Sequence, residues 1–435
     1  MTQQPTPLLV DHLFRQEAGK MIAYLTRIFG FDQLELAEDV VQDTLSRALE
    51  LWPSQGVPDN PSAWLMRVAR NRAIDLVRRE KKFQHLVPEL LHRLRVDEAA
   101  VEASATFTKE IQDDQLRMMF ACCHPDLSLP AQVTLILKTL CGFSVFEIAH
   151  TLFTSEDAVE KRLVRARKFF RQLGSYVEIT QSAEIPARLE TIYRAIYLLF
   201  NEGYHGSQAK ETVREELCFE AIRLTVLLSE HPAGARPQTY ALLALFCFHA
   251  ARLSTRINDE SELIQLKAQD RSRWDPALLA EGFHFLEQAA EGNELSEYHL
   301  EAGIAALHCA APTYAQTDWH KILELYTLLY RLKLSPIIAL NRAIALGNAL
   351  GAEAGLTELK QIPNRDKLKE YPFYPAACGE FHLRAGEPTE ALKYFAIARQ
   401  LARSSTESEF FERKCRECRG LSQTSSEALP QTDKL

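Results

Sequence analysis

Apolar residues recur three and four positions apart along almost the whole chain, and alternating β-branched runs are nearly absent. The pattern predicts an all-α fold class. Proline- and glycine-bearing punctuation falls at Trp52–Pro61 (WPSQGVPDNP), Pro125–Pro130, Gly174–Pro186 and His231–Pro237. These breaks predict a first helical module over residues 11–83, a linker over 84–112, a second module over 113–174, a helical remainder over 186–420 and a disordered polar tail over 421–435. The linker is rich in Glu, Arg and Ala without a clean apolar stripe, which suits a tether.

Within the first module, Pro61 suits the first turn of a helix whose apolar stripe is Ala63, Trp64, Leu65, Val68, Ala69, Ala73, Ile74 and Val77. Its other side carries Arg67, Arg70, Arg72, Arg78 and Arg79. Asn71 and Asp75, four residues apart among those arginines, are polar side chains placed to meet bases while the arginines neutralise phosphates. Upstream, Leu36–Trp52 predicts a helix with Glu38, Asp39 and Asp43 on its polar face and Val40, Val41, Leu45, Ala48 and Leu49 facing inward. An acidic helix disfavours DNA and favours a basic protein surface.

In the second module a helix over about residues 145–152 is followed by a short turn and a helix capped by Thr154 or Ser155, with Glu156 and Asp157 in its first turn. Ala149, Leu152, Val159 and Leu163 would form the small core of a helix-turn-helix. The second helix would lead Ser155, Glu156, Glu160 and Arg162 toward a major groove and Arg165, Arg167 and Lys168 toward phosphates. Two basic helices on a tether predict a bipartite DNA site.

Charge is informative only locally. The formal net charge is −8, yet Lys161–Arg171 holds six basic residues and no acid. The hydrophobic fraction of 46% supports packed cores, and at 435 residues the chain exceeds one ordinary domain. No apolar run reaches the length of a membrane span, and Met1–Val10 lacks the features of a signal peptide, so a cytoplasmic location without membrane partners is expected. The 9 scattered cysteines do not form a disulfide framework.

Other polar groupings have structural readings. Cys122, Cys123 and His124, and the Cys415–Cys418 CxxC, lack the second half-site that a metal would need, so no metal is expected. Asn201–His205 and Gln269–Asp275, like Asp318–His320, either pin helices together or line a pocket. Gly379, Ala391, Phe395 and Ala398, broken by a turn at Gly386 and Pro388, are echoed by Ala343, Gly355, Leu359 and Ile362 at roughly one tetratricopeptide period. No phosphate-binding loop, metalloprotease helix or nucleophile elbow is present, so neither catalysis nor a cofactor is expected.

The ordered stretches AEDVVQDTLSRALELW, PSAWLMRVARNRAIDLVRR and FSVFEIAHTLFTSEDAVEKRLVRAR resemble regions two and four of extracytoplasmic-function sigma factors, group 4 of the sigma-70 family. RLETIYRAIYLLFNEGY, LCFEAIRL, QDRSRWD, TDWHKILELY, SPIIALNRAIAL and FFERKCREC resemble the sub-group with a large helical, TPR-like C-terminal extension, so the likeness spans about residues 11–418. It implies that Glu38, Asp39, Gln42 and Asp43 dock on the β′ clamp helices of core RNA polymerase. It implies that Trp64, Arg67, Arg70, Asn71, Arg72, Asp75, Arg78 and Arg79 melt and read a minus-ten element. Ser155, Glu156, Glu160, Lys161, Arg162, Arg165, Arg167 and Lys168 would read a minus-thirty-five element, with the second module reaching the β flap. Glu160 departs from the basic residue of many relatives and would redirect base preference toward a cytosine amino group. The implied function is promoter-specific transcription initiation, regulated in cis by a C-terminal domain that takes a peptide or protein partner. The alternative is a helix-turn-helix regulator with a sensing helical domain.

Overall fold

The computed structural model describes residues 7–79, 114–152, 154–173, 185–205, 213–258, 264–402 and 404–427. These residues are helical throughout, joined by turns and short 3-10 segments, with no strand element among them. The linker expected over 84–112 lies outside the described residues. Two compact units divide at Leu199/Phe200, with residues 230–234 belonging to the first.

The first unit opens with α1 (Pro7–Phe29), α2 (Leu34–Gln55) and α3 (Pro61–Arg79). Gly30 and Gly56 end α1 and α2 at φ 93° and 83°, where a side chain would be strained. Asn60 caps α3 by accepting from the Ala63 N–H at 3.0 Å. Met21, Leu25, Val40, Leu65 and Ala69 are closed to solvent and make the core of this bundle.

A helical segment over 114–122 leads to α4 (Leu129–Thr139), α5 (Val145–Thr151) and α6 (Glu156–Leu173). α5 begins with a capping box: the Ser144 hydroxyl accepts from the Glu147 N–H, and the Glu147 carboxylate accepts from the Ser144 N–H. Along α6 the buried positions Val159, Leu163, Ala166 and Phe170 follow one helical stripe. α7 (Ile185–Tyr204) completes the unit with its first half. Arg188 donates to the Phe120 carbonyl at 3.1 Å and Thr191 to Gln132 at 2.9 Å. These bonds carry the boundary past the break expected at Gly174–Pro186.

The second unit stacks helices in chain order: α8 (Glu215–Ser229), α9 (Pro237–Ala250), α10 (Pro276–Ala289), α11 (Glu297–Ala310), α12 (Trp319–Leu332), α13 (Pro336–Leu350), α14 (Ala352–Lys360), α15 (Phe373–Arg384), α16 (Pro388–Gln400) and α17 (Ser405–Glu427). α9 is buried on nearly every side, which explains its lack of an amphipathic pattern. In the last hairpins glycines seat aromatic rings. A Cβ on Gly347 would lie 2.2 Å from Phe381 Cζ, and one on Gly355 would lie 2.6 Å from its Cε2. Gly379 faces the Phe395 ring in the same way at 3.1 Å. The two sets of residues noted at a repeat-like spacing therefore share one packing device. α17 runs through Glu427, into the span expected to be a disordered tail, because no proline interrupts the helix before Pro430.

Candidate nucleic-acid interface

α2 and α3 enclose a groove of about 350 Å³ lined by Trp64, Arg67, Asn71, Arg72 and Asp75 from α3 and by Arg47, Leu51 and Gln55 from α2. Five of the eight residues expected at the minus-ten element thus face one concavity. Trp64 rests edge-on against the buried Trp52, with ring centroids 5.6 Å apart, so the groove has a rigid aromatic wall. Arg78 and Arg79 are exposed one turn further along. Arg70 is different: it is only 7% exposed, because it shares the inward stripe with Met66 and Ala73 at helical spacing. Arg70, expected at the minus-ten element, thus lies on the inward side of α3, away from the groove.

The acidic helix divides. Asp39, Gln42 and Asp43 are exposed on α2. Asp43 accepts two bonds from Arg72, at 2.8 and 3.0 Å, at the edge of the groove. Glu38 instead accepts from Arg167 of α6 at 2.7 Å, and Glu35 from Arg171 at 2.5 Å. Burial pushes the Glu38 pKa up, against the lowering effect of Arg167. Leu49, expected inward, is 57% exposed. The buried stripe of α2 runs Val41, Thr44, Ala48, Trp52 and leaves Leu49 on its flank.

On α6 the side chains of Ser155, Glu156, Glu160, Lys161, Arg165 and Lys168 are exposed and that of Arg162 is half-buried. Ser155, not Thr154, caps the helix, accepting from the Ala158 N–H at 3.3 Å. Lys161 bonds Asp157 at 2.6 Å. Arg167, the eighth residue expected on the reading face, is turned toward Glu38.

Several contacts within the first unit escaped the sequence reading. Arg15 of α1 reaches the buried Glu147 of α5 at 3.1 Å, and Arg27 reaches Asp114 at 2.8 Å. Phe31 and Phe170 approach to 5.6 Å, and Gly19 sits so close to Leu140 that a Cβ would lie 2.4 Å from its carbonyl oxygen. The S-x-x-E spacing of Ser144 and Glu147 is the one local signal, and it was not read; partners 132 residues apart have none.

The cysteines singled out earlier are buried. Cys122 and Cys123 lie in the first unit's core, and burial pushes the Cys122 thiol up to about 12. Cys415 and Cys418 pack with Phe395 and Phe411. Such thiols are poor nucleophiles and poor ligands.

Residues 13–83, which hold α2, α3 and the groove, match the family model for sigma-70 region 2. Residues 188–290 match a family of unknown function, DUF6596. An uncharacterized protein of Rhizobium meliloti (strain 1021) is 35% identical over 396 residues, 91% of each chain. The RNA polymerase sigma factor NccH of Alcaligenes xylosoxydans xylosoxydans is 29% identical over 163 residues, covering 35% of this chain and 80% of that protein. No solved structure matches the chain. A sigma-70 region 2 built on α1–α3, with a sigma factor among the relatives, supports a sigma-70 family sigma factor.

Proposed function

We propose that the protein is an extracytoplasmic-function sigma factor that binds core RNA polymerase and directs promoter-specific initiation. The observation that carries this reading is the groove between α2 and α3, which gathers an aromatic wall, Asn71, Asp75 and three arginines on a sigma-70 region 2. Unstacked bases have π-faces for Trp64 and edges for Asn71 and Asp75, while Arg67, Arg78 and Arg79 take phosphates. Extruding a base costs a few kcal/mol, which stacking in a protein pocket offsets. Polymerase supplies the phosphoryl chemistry, so no catalytic role is assigned to this chain.

In this reading the exposed Asp39, Gln42, Asp43 and Leu49 face the β′ clamp helices. α5 and α6 act as a helix-turn-helix on the minus-thirty-five element, and the module reaches the β flap. Ser155, Glu156, Glu160, Lys161, Arg162, Arg165 and Lys168 carry the contacts, with Glu160 directed at a cytosine amino group. Glu38 and Arg167 satisfy each other while the two modules are closed, so each reaches its own target only after the modules separate. The TPR-like hairpins of the second unit regulate this step in cis through a peptide or protein partner.

The test is reconstitution with bacterial core polymerase on the promoter of the protein's own operon. Wild type is expected to form a complex and give promoter-dependent transcripts, and the Arg78→Ala, Arg79→Ala double variant is expected to keep the complex and lose the transcripts. A chain ending at Leu199 reports whether the second unit silences or enables initiation. Failure of full-length and shortened chains to bind core polymerase while still binding DNA would replace this reading with that of a helix-turn-helix regulator.

A further inference from the structure

The segments Asn201–His205 and Gln269–Asp275, which stood between pocket-lining and helix-pinning roles, meet inside the second unit. Arg252 donates to the Tyr204 hydroxyl at 2.6 Å. Arg256, 7% exposed, lies 3.5 Å from the Tyr204 ring centroid and donates to the Tyr204 carbonyl. Arg271 donates to the His308 and Ala311 carbonyls, each at 2.5 Å. Trp274 lies close to two of these cations, its ring centroid 5.9 Å from the Arg252 guanidinium and 4.8 Å from that of Arg271.

Among the described residues no carboxylate pairs with any of these three arginines. Carbonyls at the ends of α7 and α11 take some donors, and a helix C-terminus carries about half a negative charge. That offsets part of three full charges. Polar atoms also remain: the donors Arg252 Nε and Arg271 Nη2, and the Nδ1 atoms of His249 and His308, are closed to water and without a hydrogen-bond partner. The Tyr204 and His249 ring centroids lie 5.0 Å apart. Burial, with Arg252 and Arg271 adding to it, pushes the His308 pKa down to about 3, so this ring is neutral near pH 7 and carries one N–H donor without charge. Buried polar atoms are almost always satisfied, and buried charge is costly unless paired.

Unmatched positive charge and unmatched donors, gathered beside an aromatic wall, fit one ligand chemistry. We propose that the second unit binds a small oxyanion, as a carboxylate or phosphate group, between Arg252 and Arg271 beside Trp274. The guanidiniums supply charge-assisted hydrogen bonds to its oxygens, and the indole covers its apolar side. This site is independent of the sigma reading, and its test needs neither polymerase nor DNA.

The full chain is titrated calorimetrically with inorganic phosphate and, separately, with succinate, each against sodium chloride at equal ionic strength. Saturable binding of at least one is expected, weakened roughly tenfold or more by Arg252→Gln and by Arg271→Gln and largely restored by Arg252→Lys, as loss of a charge-assisted bond requires. Preference for phosphate identifies a phosphorylated ligand, and preference for succinate a carboxylate. A second measurement avoids the variants: in 15N-histidine-labelled wild type, the His249 and His308 imidazole resonances should shift saturably with the same anion. No saturable binding of either anion, binding indifferent to both glutamine substitutions, or unmoved imidazole resonances would overturn the proposal and leave the arginines as helix-end caps.

Discussion

Glu147 shows how much one side chain can hold. It is 1% exposed, closes the capping box of α5 and pairs with Arg15 of α1. Glu147→Ala removes the box and the pairing with Arg15 together, so the first unit should lose about 3 kcal/mol of stability, read from urea unfolding. Ser144→Ala removes the cap alone and should cost about 1 kcal/mol. His308 predicts a pH dependence of opposite origin. Above pH 6.5 its ring is neutral folded and unfolded and contributes no pH dependence. As pH falls below 6.5 the unfolded chain takes up a proton that the folded chain refuses until about pH 3. Stability of the second unit should therefore fall with acidification by up to about 1.4 kcal/mol per pH unit from this residue. The neighbouring His249 is shifted the same way. Urea midpoints at pH 7, 6 and 5 check the slope, and His308→Asn should lessen it, the share of His249 and His205 remaining.

At the scale of elements, the stacked hairpins depend on small residues opposite large ones. A methyl on Gly347 would overlap the Phe381 ring, which also covers Gly355. Gly347→Ala should destabilise the second unit by about 1–3 kcal/mol, and Phe381→Leu should lower that cost in the double variant, a coupling that a double-mutant cycle measures. Gly386→Ala makes a useful contrast. Nothing lies near its Cβ position, but its φ is 80°, so its cost of about 1 kcal/mol comes from the backbone and should add independently of Phe381. Of these residues only Gly355 and Gly386 belonged to the spacing read from the sequence; Gly347 and Phe381 did not. Which ring filled which glycine was not legible there, because Phe381 stands 34 positions from Gly347 and only the packed hairpins bring them together.

Across the first unit as a whole, the helices proposed to bind polymerase and to read DNA are held face to face. The ionic part of that contact is weak: Glu35 and Arg171 are half in solvent, and burial outweighs Arg167 in setting the Glu38 pKa. Close apolar and backbone approaches do more, at Phe31 with Phe170 and at Gly19 with Leu140. Gly19→Leu would drive a side chain into the Leu140 carbonyl and should separate the modules. Spin labels placed on α2 and α6 should report a longer, broader distance distribution than in wild type, and affinity for core polymerase should rise. An unchanged distance distribution in a folded Gly19→Leu variant would show that the closed arrangement does not hang on this contact.

The all-α class, the cap at the start of α6 and the basic and acidic faces followed from the sequence alone, because helical period, capping residues and charge are local properties of neighbouring positions. The groove was legible only in part: Arg67, Asn71, Arg72 and Asp75 were read on the polar side of α3, whereas Trp64, read into the apolar stripe, lines the same concavity. The tertiary structure decided the rest. It turned Arg70 inward, left Leu49 in solvent, set Arg167 against Glu38, and brought Arg271 to the same indole as Arg252, beside Arg256. Each of these depends on which distant element supplies the opposing surface. Burial and partnership across tens of residues have no period along the chain, so only the packed molecule determines them.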